Sequence, residues 1–212
     1  LVDISLGFQN WFGFASAALI SCFVGISLWL TNRSKQELNL GLKEAFLLTN
    51  SAWVLSGIFG ALPFLFSDLG LSFTDALFES ISGITTTGST ILTTIELASP
   101  GIILWRALLQ WLGGIGIIVM ALAILPILSI GGMQLFKTET YEASDNAIPR
   151  ARQLAGGIFG VYASLTFIWT AMLWLAGMSG FDALIHSMTT LATGGYSSKT
   201  ASIGAFDSVA VE

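Results

Sequence analysis

Charge is scarce in this chain. Only 10% of its 212 residues are Asp, Glu, Lys or Arg, against about 25% in an ordinary soluble domain. With eight Lys and Arg in all and a net charge of −5, it has no basic patch of the kind that grips nucleic acid. Its single cysteine, Cys22, excludes an internal disulfide and suggests no thiolate metal site. Its single histidine, His186, has no Ser/His/Asp or metal-ligand spacing around it, which argues against an enzyme. No basic stretch precedes the first apolar run, so no cleavable signal peptide is read. The segment 67–100 contains no Lys or Arg, only Asp68, Asp75, Glu79 and Glu96.

What the chain has instead is apolar bulk. Hydrophobic residues make up 54% of it and fall in four blocks, 11–30, 45–66, 101–128 and 154–178. About 20 helical residues cross a hydrocarbon core, so the pattern predicts an all-α membrane protein with four spans. Each block mixes small residues with large ones, which lets helices approach closely in lipid. Gly113-Gly114-Ile115-Gly116 marks either such a contact or a flexible point. Arg33, Lys35, Lys43, Lys137, Arg150 and Arg152, six of the eight basic residues, lie in 31–44 and 129–153. The positive-inside rule makes those two segments cytoplasmic and 67–100 outward-facing. Arg106, just inside the third span, is expected to snorkel outward. The mixed-charge stretch 131–149 reads as a solvated cytoplasmic linker. Leu1 is not an initiator methionine, and the expectation is that the sequence is an excerpt of a longer chain.

The outward segments carry a repeat. Residues 73–89 (FTDALFESISGITTTGS) superimpose on 180–196 (GFDALIHSMTTLATGGY) at a constant offset of 107. Asp75 meets Asp182, Ser80 meets Ser187, Thr86 meets Thr193, and Gly88 meets Gly195. A helix-start signal repeats as well, Ser72-x-x-Asp75 and Ser179-x-x-Asp182, which makes both aspartates helix caps rather than ion ligands. Each copy predicts a capped helix of about 12 residues, too short to span, then a Thr/Gly-rich loop. Such a helix enters and leaves on one face, and its loop must be packed in protein or line an aqueous path. The C-terminal end of the helix aims partial negative charge at the membrane interior. Glycine lets carbonyls turn to an axis, and rings of such oxygens can replace the hydration shell of a potassium ion. Glu79 and His186 share a repeat position and are expected to face the outer aqueous mouth. Asp68, Glu79 and Glu96 could there concentrate cations.

At these residues the chain resembles the TrkH/KtrB superfamily of bacterial potassium uptake proteins. The resemblance rests on Ser82-Gly83-Ile84-Thr85-Thr86-Thr87-Gly88-Ser89-Thr90 and Ala192-Thr193-Gly194-Gly195-Tyr196-Ser197. The stretch 104–116 (LWRALLQWLGGIG), and Ile124-Leu125-Pro126 followed by Gly131-Gly132-Met133-Gln134, look like the TrkH branch. The resemblance implies span–pore loop–span units, four to a polypeptide, around one pore. It assigns Gly88 and Gly195 as filter glycines. Flanking oxygens would come from Thr86, Thr87 and Ser89, and from Thr193, Gly194 and Tyr196. It also implies potassium as the transported ion, no covalently bound cofactor, a homodimer, a TrkA-like nucleotide-binding cytoplasmic partner, and the bacterial cytoplasmic membrane as location. The expected division is 1–44 (first span and cytoplasmic loop), 45–128 (first unit), 129–153 (linker) and 154–212 (second unit, ending after its filter loop). A secondary transporter with helices broken at the midplane is the alternative; Pro63 and Gly113–Gly116 are its best support, and it requires an interruption there.

Overall fold

In the computed structural model, residues 2–5, 7–8, 10–33, 42–128, 147–208 and 211 are described. Seven α-helices are found among them and no strand. They are α1 (Val2–Ser5), α2 (Trp11–Thr31), α3 (Leu42–Leu65), α4 (Phe73–Ile84), α5 (Pro100–Leu128), α6 (Ala147–Leu175) and α7 (Gly180–Leu191). The predicted all-α membrane architecture is what forms. Four helices are long and apolar enough to cross a bilayer: Trp11–Thr31, Phe46–Leu65, Pro100–Met120 and Ala155–Leu175. At 1.5 Å per residue, the 21 residues of α2 reach about 31 Å, the thickness of a hydrocarbon core. Large apolar side chains such as Leu19, Phe23, Phe167 and Leu175 are left exposed, as expected where lipid rather than water is the outer solvent.

The largest departure from the expected span boundaries is at the start of α6. Helix α6 begins at Ala147, seven residues before the expected span, and so takes in 147–153 of the linker; residues 129–146 lie outside the described residues, as do 34–41. The broken-helix reading fails on the backbone. Helix α3 runs through Pro63 and α5 runs through Gly113–Gly116 without interruption. Pro63 cannot donate to the Phe59 carbonyl four residues back, and α3 runs only two residues beyond it, to Leu65.

Helices α4 and α7 have 12 residues each, about 18 Å; α4 packs against α3 and α5, and α7 against α5 and α6. Their N-termini fold as the repeat predicts. Ser72 Oγ accepts the Asp75 N–H at 3.2 Å and donates to its carboxylate at 2.7 Å. Ser179 and Asp182 do the same at 3.1 and 2.7 Å. The buried stripe Ala76–Glu79–Ser80 recurs as Ala183–His186–Ser187, one face of a helix in both cases. Each stripe ties back to the span before it. Ser80 Oγ donates to the Gly57 carbonyl of α3 at 2.7 Å, and Ser187 shares a 2.6 Å hydrogen bond with Thr170 of α6.

Helix α5 is the central strut. Ile102, Ala107 and Leu109 enter one apolar core with Phe64 of α3, Ala76 and Ile84 of α4, and Ile185 of α7. Trp105 Nε1 donates to the Gly60 carbonyl at 2.9 Å, and Trp111 Nε1 to Thr166 Oγ1 of α6 at 2.9 Å. The Gly113-Gly114 pair is a contact, not a hinge. A Cβ on Gly113 would overlap the Ile84 carbonyl at the end of α4, and one on Gly114 would stand 2.7 Å from Tyr162 Oη and 3.0 Å from the Ala192 Cα. Only glycine lets α5 lie this close to the ends of both short helices.

Candidate functional site

The two short helices end in the same turn. Thr86 N–H donates to the Gly83 carbonyl at 2.9 Å and Thr87 N–H to the Ser82 carbonyl at 3.0 Å. In the second copy Thr193 N–H donates to Thr190 and Gly194 N–H to Thr189, both at 2.9 Å. This pair of bonds is the Schellman closure, which needs a left-handed residue just past the helix and normally uses glycine there. Here threonine fills the place, Thr86 at φ 57° and Thr193 at φ 55°. Helix α6 closes in the same way with glycine, Gly177 at φ 109°. A β-branched residue in the left-handed region is strained, so both threonines are held against their preference. Two residues on, Gly88 and Gly195 have φ 79° and 78°. The repeat therefore extends from sequence to backbone dihedrals.

The loops adjoin one another. A Cβ on Gly88 would overlap the carbonyl oxygen of Gly194, whereas one on Gly195 would meet nothing within 4 Å. Thr87, Ser89, Thr193 and Gly195 are exposed, Thr86 and Gly88 half-buried, and Gly194 and Tyr196 buried. All eight residues expected at the site are thus brought together, but they do not present the same groups. Ser89 turns its carbonyl inward, where it accepts from Ser82 Oγ at 2.5 Å and lies 3.2 Å from Tyr196 Oη. Tyr196 buries its ring behind the loops; its hydroxyl donates to the Glu79 carbonyl at 3.0 Å and its N–H to Gln110 Oε1 at 3.1 Å.

Behind the loops lies a buried ion pair, which corrects two expectations. Arg106 does not snorkel outward, and Glu79 does not face an aqueous mouth. They are 1% and 0% exposed, with Arg106 Nε 2.7 Å from Glu79 Oε1. The remaining guanidinium donors reach Thr90 Oγ1 at 3.1 Å and the Ser197 carbonyl at 3.2 Å, and the group stacks 4.0 Å above the Tyr196 ring. The Glu79 carboxylate also accepts from the Thr90 hydroxyl at 2.9 Å and the Ile91 N–H at 3.1 Å. A charge taken out of water requires this many partners. His186 is buried too, its ring nitrogens 2.8 Å from the Asp182 carbonyl and 2.9 Å from Ser197 Oγ. Thr90 and Ser197 are themselves repeat partners. The short helix is therefore tied to its own loop at one repeat position in both copies, by a carboxylate in the first and an imidazole in the second.

Asp68 and Glu96 remain exposed. Glu96 accepts from the Thr200 N–H at 2.8 Å and from its hydroxyl, strapping the first outer loop to the second. Those Thr200 hydrogen bonds, side chain first, hold its carboxyl down at about 2. Sequence reasoning missed Arg106 and Gln110 as members of the site. The available signal was two polar residues at i and i+4 in an apolar helix, where an uncompensated charge is costly and so implies a partner.

The sequence pattern of the TrkH family, described as a cation transport protein, matches residues 12–212. The chain belongs to that family. It is similar to the Trk system potassium uptake protein TrkI of Halomonas elongata, 49% identical over 77% of this chain and 33% of the relative. It is 45% identical to the Trk system potassium uptake protein TrkH of Escherichia coli K12, over 92% of this chain and 41% of that protein. The crystal structure of the potassium transporter TrkH from Vibrio parahaemolyticus superimposes with a TM-score of 0.86 at 39% identity, covering 99% of this chain and 42% of that one. The chain thus spans less than half the length of these TrkH-family relatives. Family membership and the four apolar helices make it a multi-pass membrane protein.

Proposed function

We propose that this chain supplies two filter loops of a pore that takes up potassium across the bacterial cytoplasmic membrane. The observation that carries the proposal is the twin turn at Thr86–Gly88 and Thr193–Gly195, with matched dihedrals. The α4 and α7 C-termini each bring about half a negative charge to the start of a loop. The carbonyls of Thr86, Thr87 and Gly88, and of Thr193, Gly194 and Gly195, are the oxygens assigned to replace the ion's water. Ser89 and Tyr196 are assigned to bracing, since the Ser89 carbonyl is already engaged and the Tyr196 ring lies behind the loops. Relatives more than twice as long have room for further loops, and the open side of Gly195 is where the next would abut.

In this reading residues 45–128 form one complete span–loop–span unit and 154–212 open the second. Residues 1–44 precede them, and 129–153 connect them on the cytoplasmic side. A second copy of the polypeptide and a TrkA-like regulatory subunit are the partners the family resemblance implies, and the ion itself needs no cofactor. The test is Gly88→Ala and Gly195→Ala in the complete polypeptide, with rubidium and sodium uptake measured in cells lacking other potassium systems. Both variants are expected in the membrane in normal amount with a lowered rubidium-to-sodium ratio. Unchanged ratios in both would remove the filter assignment.

A further inference from the structure

A fully buried amide lies against both loops with its oxygen bonded and its NH2 group idle. Gln110 sits on α5 one turn past Arg106 and is 0% exposed. Its Oε1 accepts the Tyr196 N–H at 3.1 Å. That bond decides which way the amide points, because only its oxygen can meet an N–H donor. Nε2 is thereby turned to the place where the loops touch. A Cβ on Gly194 would meet the whole amide, Oε1 at 2.5 Å and Nε2 at 2.6 Å, and one on Gly88 would stand 3.7 Å from Nε2. Nε2 has no hydrogen-bond partner among the described residues. Buried donors are nearly always paired, so an idle one packed against the backbone of Gly194 points to a second arrangement in which it is used.

We propose that Gln110 is a positioning residue of the filter: its oxygen sets the second loop, and its NH2 group is the substitute partner for a loop carbonyl when the cation leaves. The proposal rests on the filter reading above. Carbonyl dipoles that converge on an ion repel one another once it has gone, and a donor within a short rotation relieves that repulsion. With a cation present the carbonyl is engaged by the ion and the amide donor is idle. Gln110 then has two separable effects. Its oxygen acts on ion discrimination through the register of Tyr196, and its nitrogen acts on the stability of the vacant loop.

The experiment uses the complete polypeptide. Gln110→Met keeps the side-chain length and removes both effects; Gln110→Leu removes both with a shorter, neutral side chain. Two quantities are measured: the rubidium-to-sodium uptake ratio, and the rise in thermal midpoint of the purified protein when choline is replaced by potassium. Gln110→Met is expected to lower the ratio about fivefold, the factor one net hydrogen bond supplies. Both variants are expected to enlarge the potassium-induced rise, because the vacant loop has lost its substitute partner. A purely structural amide would lower the midpoint equally in both salts and leave the rise unchanged, and that result overturns the proposal, as does a wild-type ratio in Gln110→Met. If the methionine variant does not reach the membrane, the leucine variant decides the question through the same two quantities. Failure of the filter reading looks different: the unsubstituted protein would then show no potassium-induced rise.

Discussion

Replacing Arg106 by methionine should unfold this protein more readily than any substitution on its lipid-facing surface. The change leaves the Glu79 carboxylate, 0% exposed, without its cation, and strips donors from Thr90 and the Ser197 carbonyl. Removing one partner of a buried pair costs about 3–5 kcal/mol. Both groups are closed to water, so the screening that reduces surface pairs does not apply. That is a large share of the roughly 5–15 kcal/mol that holds a typical domain. Glu79→Gln strands the guanidinium in the same way and should cost a comparable amount. The double variant Glu79→Gln with Arg106→Met removes both charges and should cost at least about 2 kcal/mol less than the two singles added together, a coupling within the range for residues in one network. The assay is chemical or thermal unfolding of the detergent-solubilised protein, with the uptake ratio measured in parallel. If Arg106→Met lies within about 1 kcal/mol of the parent, or the double variant is simply additive, the pair is not what joins the first short helix to the second loop.

Three further outcomes follow from the geometry. Thr86→Gly and Thr193→Gly should each relieve left-handed strain by about 1 kcal/mol, seen as an unchanged or higher unfolding midpoint. Gly113→Ala drives a methyl into the Ile84 carbonyl and should cost about 1–3 kcal/mol as overpacking, measured by the same unfolding assay. Glu96 has its carboxyl held at about 2, below the ordinary 4.5. A depressed carboxylate stabilises the fold above its unfolded value, and that contribution is lost as pH falls through the folded value. The stability difference between the parent and Glu96→Gln should therefore be flat above about pH 5 and shrink on acidification towards about pH 2.

The spans were legible in the sequence because hydropathy is a one-residue property summed over a window. So were the short helices, because Ser72 and Ser179 start them by a local rule that needs no knowledge of the rest of the fold. Arg106, Glu79 and His186 were misplaced for the opposite reason. Each is polar and lies near an expected membrane surface, and nothing local reveals that Glu79 has a guanidinium 27 positions away or that His186 reaches Ser197. The glycines at 113 and 114 gave two readings, since close packing and flexibility use the same residue; only the position of the Ile84 carbonyl decides between them. The left-handed threonines were hidden altogether. Propensity reserves that conformation for glycine, and Thr86 and Thr193 adopt it only because the helix-ending hydrogen bonds impose it.

The seat of Gly88 against the Gly194 carbonyl has a mechanical consequence. Two loops in hard contact cannot shift separately, so a displacement imposed on one is passed to its neighbour. A substitution that softens either loop would therefore be felt in both, at Gly88 as at Gly194.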